Sequence, residues 1–333
     1  MAKAADPLLL RRCFKTLEFK TRARIAVFPM TSSLDLIIIG AGVAGLTASI
    51  HAGQQGLKCM TVAEMGVGGQ IMNAPLIENF PGYPQGIAGV ELGPMLHEQA
   101  EDAGAEFCFD TIKTIEIQDD GFVARGIEET LFAKSVIIAA GSRLKTLGVD
   151  GEARLTGRGV SHCASCDGPL YRGKRLFVVG GGDAAFDEAL ALAEFAAHVE
   201  ILCRSARPRA QKKLQARVAA AGNIGVRFNT SVQEILGADY VTGLRLRGAE
   251  GVEPADGVFI YAGLQPNTEF LNGLLALDDA GRIIVDAKMQ SSVAGIFVAG
   301  DIRSQSLALL PDVASDGETA AAAAAEYCAG RAG

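Results

Sequence analysis

The chain has 333 residues, 49% of them hydrophobic, with 40 glycines and no tryptophan; that balance suits an α/β enzyme of two ordinary domains and excludes a fibrous or disordered chain. A formal charge of −7 argues against nucleic acid as a partner, and no apolar run approaches the ~18 residues of a membrane span. Of the cysteines only Cys163 and Cys166 are close in sequence, which points to a reducing, cytoplasmic compartment and not to a disulfide framework.

Residues 1–29 stand apart. They carry Lys3, Arg11, Arg12, Lys15, Lys20, Arg22 and Arg24 against Asp6 and Glu18, a net +5 that leaves −12 on the remainder. An arginine-rich, acid-poor start is one mark of a transit peptide, yet no serine precedes Ser32 and Met30 stands just ahead of the first strand. Residues 1–30 are therefore expected to be an upstream start or a mobile extension. Leu8-Leu9-Leu10 is too short an apolar region for a secretory signal.

Leu34–Ile39 is a continuous apolar run of the kind buried in a parallel sheet. It leads into Gly40-Ala41-Gly42-Val43-Ala44-Gly45 and a helix that passes Ala48 and Ile50 and stops near Gly53 and Gly56. A second strand, Lys58–Ala63, ends at Glu64, 19 residues after Gly45. Strand, glycine turn, helix, strand and acid in this order form a dinucleotide fingerprint: glycines for close approach to pyrophosphate, Glu64 for a ribose hydroxyl. Gly66–Gln70 and Ile77–Gly82 read as glycine loops, Gly93–Gly104 as an amphipathic helix and Phe107–Thr130 as meander strands. Val136–Gly141 is a further buried strand, and its small end lets backbone lie close to a cofactor.

Cys163-Ala164-Ser165-Cys166-Asp167-Gly168 comes next. Two cysteines three apart can sit on one turn and close a small disulfide ring, and here the pair reads as redox-active. Asp167 is placed to give or take the proton that thiol chemistry needs. An apolar strand from Arg175 then enters Gly180-Gly181-Gly182-Asp183-Ala184-Ala185, a second G-x-G-x-x-A turn, followed by a helix to Phe195 and a strand at Val199–Cys203. Two units of one plan imply a duplication. Gly40 to Glu64 spans 24 positions, and 24 beyond Gly180 stands Arg204. An acid there favours a free ribose hydroxyl and an arginine a 2′-phosphate, so the first unit suits FAD and the second NADPH. Phe259–Gly263 and Gly295–Asp301 repeat the apolar-Ala-Gly strand, and an Ala-rich helix around Thr319–Cys328 closes the chain. A dithiol beside a nucleotide-binding unit predicts electron transfer between a dinucleotide cofactor and a disulfide.

Together these residues resemble the low-molecular-weight thioredoxin reductases from Ser33 to Tyr327. The match lies in Gly40–Gly45, Gly68-Gly69-Gln70, Glu78–Gly82, Cys163–Gly168, Gly180–Glu188 and Gly295–Asp301. The resemblance implies two Rossmann-like domains in three-layer ββα form. An FAD domain, 31–143 and 273–333, would hold an inserted NAD(P)H-type domain, 144–272, in a homodimer whose small domain rotates. Carried over position by position, Cys166 would face the flavin and Cys163 attack the disulfide of thioredoxin or a similar protein, with Asp167 as acid/base. FAD would lie among Gly40, Ala41, Gly42, Gly45, Glu64, Gly69, Gln70, Asn79, Ala140, Gly141, Gly300, Asp301, Leu309 and Leu310. A pyridine nucleotide would lie against Gly180, Gly182, Asp183, Ala184, Arg204 and Arg209.

The sequence departs from the family twice. NADPH-dependent members carry His-Arg-Arg and a further Arg after the second unit's strand; here the run is Cys203-Arg204-Ser205-Ala206-Arg207-Pro208-Arg209, with Ser205 at the second Arg. The Arg-Gln pair ahead of the last helix is replaced by Ala308-Leu309, followed by Leu310-Pro311. NADPH is accordingly expected to be a poor donor, with ferredoxin or another non-pyridine donor in its place. Two other readings stand beside this one at the level of sequence: an FAD-dependent oxidase passing electrons from small dithiols to oxygen, and a zinc module built on Cys163, Cys166 and His162. The four ligands a structural zinc needs are not at hand, so His162 is read as a neighbour tuning the thiols.

Overall fold

Short aliphatic runs alternating with helix-length segments dictate a layered α/β architecture. The computed structural model, which describes residues 34–64, 66–74 and 76–331, has that architecture. The extension expected at residues 1–30 lies outside the described residues.

In chain order, β1 (Leu34–Ile39) feeds α1 (Val43–Gln54), and β2 (Cys59–Ala63) is buried at every position. A 3-10 turn at Gly69–Asn73 precedes α2 (Gly89–Asp102). This helix starts four residues before the expected Gly93 and keeps Pro94 inside it, because Leu92 N–H already bonds Ala88 at 3.0 Å and Gly89 lies flush on the Ile71 carbonyl, where a Cβ would collide. Then come β3 (Glu106–Phe109), β4 (Thr114–Gln118), β5 (Gly121–Arg125), β6 (Thr130–Ile138), β7 (Ser142–Leu144), α3 (Glu152–Leu155), β8 (Val160–Ser161) and α4 (Ala164–Asp167). They are followed by β9 (Arg175–Val179), α5 (Asp183–Ala193), β10 (His198–Leu202), α6 (Lys212–Ala220), β11 (Ile224–Arg227), β12 (Val232–Leu236), β13 (Gly243–Leu246) and β14 (Glu253–Pro254). The last elements are β15 (Gly257–Ile260), β16 (Leu264–Pro266), β17 (Ile296–Val298) and α7 (Leu310–Gly330).

The first sheet runs β3-β2-β1-β6-β5-β4, with β17 also on β6. Two expectations change here. Phe107 belongs to β3, which is parallel to β2 through Thr61↔Phe107 and is no part of a meander. The strand expected at Val136–Gly141 is not separate: Val136–Ile138 end β6, which is antiparallel to β5 through Phe122↔Ala133 and then parallel to β1 as far as Ile39↔Ile138, and Ala139–Gly141 lie beyond it. The second sheet, β11-β10-β9-β15-β8, is wholly parallel, and β12-β13-β14 form an antiparallel layer beside it. The antiparallel ribbon β7–β16 pairs Leu144 with Leu264 where the chain passes from one sheet to the other and returns.

Alternation along the strands divides the core. Leu36 and Ile38 face α1 and α7, whereas Ile37 and Ile39 face the opposite layer with Phe122, Leu271 and Ile302. Leu176 and Val178 pack on α5, and Phe177 and Val179 on the antiparallel layer. Each such fully buried side chain contributes about 1.5–3 kcal/mol. The closing helix begins nine residues before the expected Thr319. Pro311 supplies a helical φ in the first turn, and Gly317 lets α7 lie against the Ala44 carbonyl of α1, where a Cβ would collide. Among the described residues no helix is long and apolar enough to cross a membrane.

Candidate active site

The first glycine turn is shaped by contact on two sides and left free on the third. Gly40 has φ +108°, and a Cβ there would strike the Ala139 carbonyl; a Cβ on Gly45 would strike the Gly40 carbonyl, so α1 sits hard on the end of β1. At Gly42, by contrast, a Cβ would meet nothing within 4 Å, and α1 starts with no side-chain cap on its N–H groups. Open space above uncapped helical N–H groups fits a pyrophosphate. Gly68 N–H bonds the Ala41 carbonyl at 2.8 Å and lays Gly69 against Gly42. Glu64 is exposed at the end of β2, its carboxylate accepting from Thr111 Oγ1 at 3.3 Å.

Other expected residues converge on this turn from distant parts of the chain. Gln70 Nε2 donates to the Ser142 carbonyl at 2.6 Å, and Ser142 Oγ to the Asp301 carbonyl at 3.2 Å. Asn267 holds the carbonyls of Ala140 and Gly141 at 2.8 and 3.1 Å. Gly300, with φ +80°, lies close over Ala44 and donates its N–H to Asp316 Oδ2 at 3.1 Å; Arg303 grips that carboxylate through two N–H bonds, 2.6 and 2.8 Å. Burial pushes the Asp301 carboxyl above its ordinary value, although Ser306 Oγ donates to it at 3.3 Å. Leu309 is exposed just ahead of α7, Leu310 opens the helix, and Ala308 before them has φ +54°. Asn79 is exposed in its loop. The glycine cradle and the acid at the strand end fit a dinucleotide such as FAD.

The second turn repeats the plan with different surroundings. A Cβ on Gly180 would strike the Tyr261 carbonyl, while Gly182 is open, with nothing within 4 Å. Asp183, first in α5, accepts from Gln211 N and Nε2, both at 2.7 Å, and Ala184 is exposed. The segment after β10 lies over the turn. Arg209 and Ala210 donate their N–H groups to the Gly181 carbonyl at 2.6 and 3.1 Å, and the Cys203 thiol donates to the Gly180 carbonyl at 3.2 Å. Arg204, Arg207 and Arg209 are exposed, and Ser205 Oγ donates to the Arg207 carbonyl at 2.7 Å.

Cys163 and Cys166 form a disulfide, S–S 2.07 Å, across the short helix α4. Cys166 is exposed and Cys163 half-buried. Cys163 caps the turn, its Sγ accepting the Cys166 N–H at 3.2 Å. The other described cysteines differ in kind: burial pushes the thiols of Cys59, Cys108 and Cys328 up to about 11, which leaves them protonated at neutral pH. Asp167 accepts from Ser161 Oγ at 2.6 Å, and Ser161 Oγ in turn accepts the Cys163 N–H at 3.1 Å. His162 places Nδ1 on the Ile260 carbonyl at 2.9 Å. No group of His, Cys, Asp or Glu among the described residues could hold a metal ion, and the disulfide uses both cysteines the zinc reading required.

Three residues around the dithiol escaped the sequence reading: Ser161, Glu188 and Tyr261. Glu188 carried a signal. On α5 it lies between Ala185, Ala189 and Leu192 on the buried stripe, where a charge calls for a partner.

Residues 34–326 match the pyridine nucleotide-disulphide oxidoreductase family. A thioredoxin reductase of Listeria monocytogenes is 38% identical over 298 residues, covering 88% of this chain and 93% of its own. The crystal structure of Lactococcus lactis thioredoxin reductase, described as the FR conformation, superposes with a TM-score of 0.84 at 33% identity, over 90% of this chain and 100% of that one. Farther off, a structure titled ferredoxin-flavin thioredoxin reductase from Clostridium acetobutylicum has a TM-score of 0.50 at 28% identity, over 90% of this chain and 98% of that one.

Proposed function

The chain belongs to the low-molecular-weight thioredoxin reductases, an oxidoreductase family, and from that premise we propose that it reduces the disulfide of a thioredoxin-like protein through FAD and Cys163–Cys166. The observation that carries the reading is the closed disulfide on an exposed turn, beside a second dinucleotide turn, in a chain whose other described thiols are held protonated or buried.

In this reading residues 31–143 and 273–333 hold FAD, which when bound supplies the two-electron step between the donor and the disulfide. Gly42 and the first N–H groups of α1 would take the pyrophosphate and Glu64 a ribose hydroxyl, with the Gln70–Ser142–Asp301 chain bracing the loops around the cofactor. Residues 144–272 carry the disulfide. Cys166 faces the flavin; Cys163, whose sulfur already accepts an N–H, carries charge well once the bond opens and attacks the partner disulfide. Asp167 handles the proton through Ser161. The Lactococcus and Clostridium structures each cover 90% of this chain, yet the TM-score falls from 0.84 to 0.50, a drop that a changed angle between the sheets would produce. The β7–β16 ribbon is the hinge for such a turn. The assembly is a homodimer, which light scattering will check.

NADPH is a poor donor in this reading. Ser205 turns its hydroxyl onto the Arg207 carbonyl and offers no guanidinium fork to a 2′-phosphate. One lost charge-assisted contact costs about 1.5–3 kcal/mol, roughly ten- to a hundredfold in affinity. Anaerobic bleaching of the flavin by NADPH, NADH and reduced ferredoxin in parallel tests the donor, and saturable bleaching by micromolar NADPH overturns it. Cys163→Ser and Cys166→Ser test the relay: each keeps FAD and loses thioredoxin reduction. Activity surviving in either variant refutes the reading.

A further inference from the structure

Behind the dithiol turn three groups meet at one backbone N–H. Ala164, the buried first residue of α4, donates to Glu188 Oε2 and to Tyr261 Oη, each at 3.1 Å. The Tyr261 hydroxyl also bears on Glu188 and favours its anion. Both oxygens accept the same N–H, so Glu188 and Tyr261 meet at one donor at the start of the dithiol turn. A carboxylate, with acceptor sites on both oxygens, suits that place.

The surroundings bear on that charge from both sides. Burial above all, with the neighbouring Asp187, holds the Glu188 carboxyl above its ordinary value, against the pull of the Ala164 N–H and the Tyr261 hydroxyl towards the anion. Asp187 itself lies 3.7 Å from Arg217, and Asp167 bears on Tyr261 from the dithiol side. Burial together with Glu188 keeps the phenol protonated. The turn is thus pinned at two successive N–H groups, Cys163 by Ser161 and Ala164 by Glu188 and Tyr261.

We propose that Glu188 is a positioning residue for the dithiol, its carboxylate holding the turn through the Ala164 N–H and Tyr261 and setting the electron affinity of the Cys163–Cys166 pair. The inference rests on reading that pair as the redox centre. Opening the disulfide puts negative charge on a sulfur of the same turn. A fixed carboxylate behind it opposes that charge and keeps the pair strongly reducing towards a partner.

The test uses purified flavin-loaded protein equilibrated without oxygen against graded ratios of reduced and oxidised dithiothreitol. In this exchange the reagent gives up two electrons and two protons and closes to its own disulfide, while the Cys163–Cys166 bond opens to two thiols. Alkylation and mass measurement then count the open pairs. Glu188→Gln keeps an acceptor for Ala164 but removes the charge, and it shifts the equilibrium roughly three- to tenfold towards the open dithiol; tenfold corresponds to about 30 mV. The midpoint of Cys163 alkylation against pH moves down as well. Tyr261→Phe, which deprives the anion of a donor, moves both readouts in the same direction by less, and it decides the matter if the glutamine variant does not fold. A folded, flavin-bound Glu188→Gln with both readouts unmoved, or moved the opposite way, overturns the proposal. A parent protein whose pair does not exchange with dithiothreitol refutes the redox-centre reading itself, so the two failures are distinguishable.

Discussion

At Gly42 and again at Gly182 the chain enters a helix through extended backbone, with ψ of −174° and −177°, no side-chain cap, and empty space where a Cβ would stand. Around these two points the similarity ends. The first turn needs a left-handed glycine at Gly40, is braced by Gly68 and Gly69, and is followed by the exposed acid Glu64. The second needs no left-handed φ at Gly180, is overlain by residues 203–211, and is followed by a buried thiol and exposed arginines. On the proposed reading, what suits pyrophosphate is the backbone, and it is alike in both turns. On the same reading the choice of nucleotide falls to the side chains beyond the next strand, which differ between the two units while the turns stay alike.

The sharpest way to break this comparison is to fill each open space in turn. Gly42→Leu adopts its extended backbone without strain, so the fold is kept while FAD is lost; flavin absorbance of the purified protein measures it. Gly182→Leu keeps FAD and abolishes whatever bleaching pyridine nucleotides produce. Loss of flavin in the second variant would mean that the two sites are not independent. A smaller effect is expected from Ser205→Arg, which restores a guanidinium beside Arg204. It raises apparent NADPH affinity roughly ten- to a hundredfold and leaves NADH unchanged, since the charge-assisted contact is with the 2′-phosphate alone. The smallest change is expected at the exposed end of β2. If Glu64 holds the ribose as proposed, Glu64→Ala costs about 1 kcal/mol and weakens FAD about fivefold, as read by titration of flavin-depleted protein.

The strands that hold these turns were legible because they are short aliphatic runs buried on both faces: β1, β2, β9, β10 and β17 appear where the pattern puts them, while β15 begins two residues before the expected Phe259 and ends at Ile260. Elements whose state depends on partners were not. Phe109 is exposed in β3, and it is the pairing of Glu106–Phe109 with Met60–Ala63 that makes the segment parallel sheet. Lys134 and Ser135 interrupt β6 in sequence, but the first reaches Asp35 at 2.7 Å and the second the Gly295 carbonyl at 2.9 Å, so the strand continues through them. In the site, spacing alone revealed the dithiol, and a count of positions paired Glu64 with Arg204. The clamp on Ala164 was hidden because its members lie 24 and 97 residues away and meet only once the second sheet has formed.

The place of β17 in the first sheet has a consequence for how the chain folds. Its partner, the end of β6, is 160 residues earlier, as the pair Val136–Ile296 shows, and α7 must arrive later still to cover α1. The second sheet draws only on residues 160–260 and closes with far shorter loops. Loop closure over longer separations is slower, so the inserted sheet forms first and the first sheet stays open until its last strand is available. On the ribosome, where synthesis runs from the N-terminus, a chain halted before residue 296 exposes the Val136–Ile138 edge as bare backbone donors and acceptors flanked by apolar side chains. Aggregation of a truncated chain is expected to begin at that edge, which β17 covers in the complete sheet.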